Sequence, residues 1–288
     1  MRATIPAHMD SLARVKGRST AALAATSFTF IALAGAAGGA TGGAGPGDGA
    51  TTRNPCTGPE ARQLLCPDLR VRPAFDFYVE RRGSGGYYGR PRETLLHAAN
   101  DIRSQGRGPM ELRGRRYKRN WMRANQAIYR AGGGVRIFRT EARFHFYDVG
   151  YEYGGSYWKV HDPLSMEIWS LDERRRPLAR VRKGPKVFYC FRDLGRTRAG
   201  RRSPRRRVYP ACSQDPGRKR LRLGTSVGWS DIYPADYDRQ WVNVSGLRGC
   251  FAFVMRVDPQ NLLFESNERN NRSIRVIRLP YRPGPQRC

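Results

Sequence analysis

Beyond residue 66 the apolar residues fall in short runs separated by glycine, proline and asparagine. Phe75-Asp76-Phe77-Tyr78-Val79 is a short β run. Glu93–Asp101 and Pro109–Arg113 follow, then Ala127–Tyr129, Gly134–Thr140 and Ala142–Tyr147. Later runs are Tyr157–Val160, Met166–Leu171, Leu178–Val181, Lys186–Phe191, Arg222–Ser226, Trp241–Val244, Cys250–Val257 and Ser273–Leu279. Short β-favouring runs between Gly/Pro turns predict strands and a sandwich or barrel. Gly58–Leu65 and Trp121–Gln126 are the two stretches that read as helix. There is no internal repeat. The expected fold is all-β, an antiparallel β-sandwich with long loops and little helix.

The N-terminal part breaks this pattern. Arg2, Arg14, Lys16 and Arg18 precede an uncharged alanine-rich run, Ala21–Ala37, in which Ala34-Gly35-Ala36 offers small residues for cleavage. That layout over residues 1–37 reads as a secretory leader, with an uncleaved N-terminal anchor as the other reading. Residues 38–55 form a Gly/Ala/Thr linker with no periodicity, expected to be disordered. No later run is long and apolar enough to span a membrane. The folded domain is expected over residues 56–280, with a tail over 281–288.

Composition adds charge and redox setting. The 288-residue chain has a formal net charge of +29, nearly all of it from arginine. A field this positive attracts polyanions. Arg201, Arg202, Arg205, Arg206, Arg207, Arg218, Lys219, Arg220 and Arg222 concentrate it between Ala199 and Gly224, as either an anion patch or a solvated loop. No helix-turn-helix, zinc-finger or RNA-recognition pattern accompanies them, so sequence-specific nucleic-acid binding is not expected. The six cysteines include no CxxC pair, which argues against a zinc ribbon. An even count behind a leader favours disulfides. Local pairing suggests Cys56–Cys66 and Cys190–Cys212, leaving Cys250–Cys288, although sequence alone leaves the connectivity open.

Gly224–Gly246 is dense in aromatics, with Trp229, Tyr233, Tyr237 and Trp241 around Pro234. It reads as strand, loop, strand, and its aromatics could be packing alone. Asp231-Ile232-Tyr233 in this stretch and Gly184-Pro185-Lys186-Val187-Phe188-Tyr189-Cys190 upstream resemble the two segments that carry the cofactor precursors of copper-dependent lysyl oxidases. The resemblance runs roughly from Cys66 to Arg278 and includes the Asp258-Pro259, Glu265-Ser266 and Asn270-Asn271 ending, where the paired asparagines suit a tight turn of positive φ. It implies that Lys186 and Tyr233 fuse into lysyl tyrosylquinone. The expected activity is oxidative deamination of peptidyl lysine or primary amines. Asp231, two residues before the tyrosine, is a candidate base; a loop-capping aspartate is the plainer reading.

Family members carry His-x-His-x-His, which on a strand turns three imidazoles to one face and suits copper. The matching positions here are Tyr157-Trp158-Lys159-Val160-His161. His161 alone is kept, and a lysine ammonium beside copper would repel it. A rebuilt site would need His145 and Tyr157 beside His161, on paired strands. The sequence therefore points to a secreted, extracellular or cell-surface lysyl-oxidase-like protein whose oxidase chemistry is degraded. The alternative is a non-catalytic basic sandwich binding extracellular or cell-wall acidic polymers.

Overall fold

A computed structural model describes residues 53–81, 92–148, 155–197, 200, 202–285 and 287–288. The leader and most of the linker expected at the N-terminus lie outside the described residues. Among those residues there are 18 strands and one short 3-10 turn, Pro59–Gln63. Among the described residues no helix is long and apolar enough to cross a membrane. All strand pairs are antiparallel, and the fold is an all-β sandwich without a closed barrel.

Three sheets share one core. The eight-stranded sheet runs Phe188–Tyr189, Tyr157–His161, Arg143–Tyr147, Trp121–Arg130, Met110–Lys118 and Arg220–Thr225, with Leu64–Leu65 and Val135–Phe138 also paired to Trp121–Arg130. The four-stranded sheet orders Pro177–Lys183, Leu164–Leu171, Gly249–Val257 and Arg272–Leu279. In the six-stranded sheet Thr94–Ser104 pairs with Leu69–Val71, Phe75–Arg81, Trp229–Tyr233 and Trp241–Asn243. Nearly every residue of Thr94–Ser104 is buried, and the usual alternation is lost because both of its faces are covered.

The outer sheet keeps the alternation. Met122, Ala124 and Phe144 are fully buried, whereas Arg123 and Arg143 on the same strands, and Arg115 on the strand beside them, are exposed. One face therefore closes the core and the other meets solvent. The buried set continues into Trp158, Val160, Met166 and Phe253, joining this sheet to the four-stranded one.

Two helical expectations fail. Gly58–Leu65 is a 3-10 turn followed by the strand Leu64–Leu65. Trp121–Gln126 begins a ten-residue strand. Its good helix formers are overridden by backbone pairing on both edges, to Met110–Lys118 on one side and Arg143–Tyr147 on the other. Neither Asn270 nor Asn271 has positive φ; in this connection it is Asp258 and Asn261 that do. The asparagines act through their side chains instead, donating to Asp68 and Glu265 respectively. All three expected disulfides form, Cys56–Cys66, Cys190–Cys212 and Cys250–Cys288.

Gly114 marks the tightest point under the outer sheet, because a methyl group there would lie 2.4 Å from the Phe144 ring. Gly114→Ala should therefore lower stability by about 1–3 kcal/mol through overpacking. An unchanged denaturation midpoint would contradict this packing.

Candidate functional site

The outward face of Tyr157–His161 forms the floor of the site. Trp158 and Val160 point into the core, so Tyr157, Lys159 and His161 turn the other way. The neighbouring strand is in register, with Tyr147 opposite Tyr157 and His145 opposite Lys159. On the next strand Trp121 stands opposite His145. The two strands thus pair as a rebuilt site would require, and they bring His145 and His161 to one face.

Aromatic rings fill the space around those histidines. Trp121 lies 4.2 Å from the His145 ring and 5.4 Å from His161, centroid to centroid. Phe188 lies 5.4 Å from His145 and 5.2 Å from His161. Burial lowers both imidazole pKa values; for His161 it acts against nearby Asp162, which raises the value, and together with Lys186, Arg143 and Arg239, which lower it. Both rings are therefore neutral at pH 7.

Lys159 occupies the middle of the three positions and is 2% exposed. Its Nζ lies 5.4 Å from the Tyr147 ring, 5.5 Å from Tyr157 and 5.8 Å from Tyr237. Burial pulls its pKa down to about 8, against the attraction of Asp238. The ammonium is thus still about nine-tenths charged at pH 7, held by three electron-rich ring faces and one carboxylate. Arg239, at φ 62°, donates from Nε to the Tyr147 hydroxyl at 2.5 Å and contacts Asp238 at 3.5 Å.

Tyr237 links this cage to Tyr233. Its ring is 4.9 Å from Tyr233, which stacks on Tyr189 at 4.0 Å. The Tyr233 hydroxyl accepts from the Cys190 amide at 2.7 Å, and Tyr189 donates to the Asp231 carbonyl at 2.7 Å. Burial and the nearby Asp231 raise the Tyr233 pKa well above its ordinary value, so its ring is a neutral phenol.

Asp231 has no exposure, and neither carboxyl oxygen has a hydrogen-bond partner. Arg192 Nε stands 3.6 Å away. Burial raises its pKa well above the ordinary carboxyl value despite Arg192. It sits with Tyr233 on one strand but as a buried acid, not as a solvated loop cap. Lys186 is placed differently. Its side chain is exposed and its charge is felt at His161, whereas Tyr233 is buried on Tyr189. Lys186 and Tyr233 lie on neighbouring segments, the first exposed and the second buried.

The residues present do not fit copper. Two neutral imidazoles share the face, but a buried ammonium stands at the central position, and Tyr157 is a phenol beside it. Among the described residues no three His, Cys, Asp or Glu ligand atoms converge there. Tyr147, Tyr237, Asp238, Arg239, Trp121 and Phe188 were not legible as site residues from composition. Tyr147 could have been found by continuing the Arg143, His145 alternation by one step.

Lys159 carries a testable cost. Its folded pKa lies below the ordinary 10.5, so the penalty for its charge is fully present below pH 8 and fades as pH rises to 10.5. Lys159→Met should therefore be more stable than the wild type at pH 7, by up to about 3 kcal/mol. The gap should close in alkaline buffer. A destabilised variant at pH 7 would contradict the burial argument.

Residues 157–282 match the family model described as lysyl oxidase. No curated protein matches the chain.

Proposed function

We propose that this chain, whose residues 157–282 match the lysyl oxidase family model, is an exported lysyl-oxidase-like protein that has lost copper-dependent quinone chemistry and keeps the sandwich as a binding scaffold. The observation that carries this reading is the buried Lys159 ammonium at the central imidazole position. A fixed positive charge there repels a divalent metal, and the aromatic cage gives it a settled place without one. Tyr157 removes a second nitrogen ligand.

Three disulfides fit an oxidising compartment, which supports export. The retained role we assign to the scaffold is contact with extracellular or cell-wall acidic polymers, consistent with a net charge of +29. The competing reading is an oxidase of peptidyl lysine or primary amines. It would need Lys186 and Tyr233 to join as lysyl tyrosylquinone and a copper site rebuilt from His145, His161 and Tyr157, with Asp231 as base.

The test uses protein prepared in copper-supplemented medium. Metal analysis should find no stoichiometric copper, and peptide mapping should recover the Lys186 and Tyr233 peptides separately. The double variant Tyr157→His/Lys159→His should acquire copper, because it restores three alternating imidazoles on an existing strand face. Stoichiometric copper in the wild type together with a linked Lys186–Tyr233 peptide would overturn the proposal.

A further inference from the structure

Four arginines stand in one line across the solvent face of the eight-stranded sheet. Arg220 is directly opposite Arg115, Arg115 opposite Arg123, and Arg123 opposite Arg143. Directly opposed residues share a face, and all four of these are exposed. The opposite face of the same strands is closed by Gly114, Met122, Ala124 and Phe144. With strands about 4.8 Å apart, the row spans roughly 14 Å.

Its surroundings add positive charge. Arg116, Lys118, Arg119 and Lys219 border the Arg115–Arg220 end. Arg139 and the single acid Glu141 border the Arg123–Arg143 end. Among the described residues none of the four arginines is in an ion pair. Arg113, two residues before Arg115, shows the contrast, for it is neutralised by buried Glu111 at 2.7 Å.

Like charges directly opposite one another destabilise a sheet. This sheet holds three such pairs in succession without an internal counter-charge. A ligand with several evenly spaced anionic groups would turn that repulsion into attraction, and the guanidinium fork suits sulfate and carboxylate oxygens.

We propose that this row binds a linear anionic polysaccharide, with its sulfate or carboxylate groups laid across the four guanidiniums. The proposal rests on the polymer-binding part of the reading above and gives it a location. The location differs from the Ala199–Gly224 segment that stands out in the sequence. Of that segment, Arg220 alone belongs to the row, with Lys219 at its border.

A polysaccharide fits better than nucleic acid. Binders of single strands add aromatic platforms on which bases stack. The exposed aromatic beside this row, Tyr117, already has the Arg123 guanidinium 5.2 Å over its ring. Charge is what the surface offers, and the disulfides fit the oxidising setting in which extracellular polysaccharides are found.

The experiment measures binding of a heparin fragment to the full chain at several salt concentrations. It compares wild type with Arg115→Gln/Arg123→Gln and with the charge-matched remote control Arg174→Gln/Arg248→Gln. The row variant should bind about 10-fold more weakly, with a log–log salt slope shallower by about two, and its Tm should be unchanged or higher. The control should bind as the wild type does. Equal losses in both variants, or no loss in the row variant, would overturn the assigned location while leaving polymer binding itself standing. No binding by the wild type would remove both the location and the polymer-binding reading. Displacement of heparin by a single-stranded oligonucleotide of equal charge at lower concentration would overturn the partner class.

Discussion

The register between Arg143–Tyr147 and Tyr157–His161 governs everything distinctive about this protein. With Phe144 opposite Val160, both side chains enter the core. His145 then faces Lys159, and Tyr147 faces Tyr157. A slip of Arg143–Tyr147 by one residue would turn that strand over, exposing Phe144 and burying Arg143 and His145. Core packing therefore fixes which side chains share the solvent face. The site is a consequence of where the apolar residues must go.

On that face, charge decides the chemistry. A copper site needs unprotonated donor atoms converging on an open point. Here the imidazoles are neutral, but the central group is an ammonium enclosed by Tyr147, Tyr157 and Tyr237. A cation already occupies the electron-rich centre of the cage. The same aromatic chain continues through Tyr237 to Tyr233 and Tyr189. Tyr233 is thus part of the aromatic packing that holds the lysine. Farther along the face, Arg143 sits two residues before His145. The cation row and the lysine cage are two ends of one outward surface.

Much of the fold was legible because strands announce themselves by a local period. Short runs such as Cys250–Val257 and Ser273–Leu279 became paired strands with nearly the expected bounds. Trp121–Gln126 misled because Met122-Arg123-Ala124-Asn125-Gln126 is built of residues compatible with a helix, while the pairing that makes it a strand is non-local. The Arg115–Lys118 part of its partner was missed for a related reason, since a polar strand end has no apolar alternation to show. Lys186, Tyr233 and Asp231 were found by resemblance, but their exposure was not visible in the sequence. Burial is set by what covers a residue, and Tyr189 covers Tyr233 from 44 positions away. The arginine row needs three registers to be known together, and Arg220 is remote in sequence from the other three.

The central claim is that Lys159 holds the place of a metal-binding imidazole and excludes copper. Crystals of the protein soaked in copper and measured at the copper absorption edge test it most directly. The account predicts no anomalous peak on the Tyr157, Lys159 and His161 face, with the lysine amine still inside its ring of tyrosines. A strong peak bonded to His145 and His161, with Lys159 swung out of the cage, would contradict it.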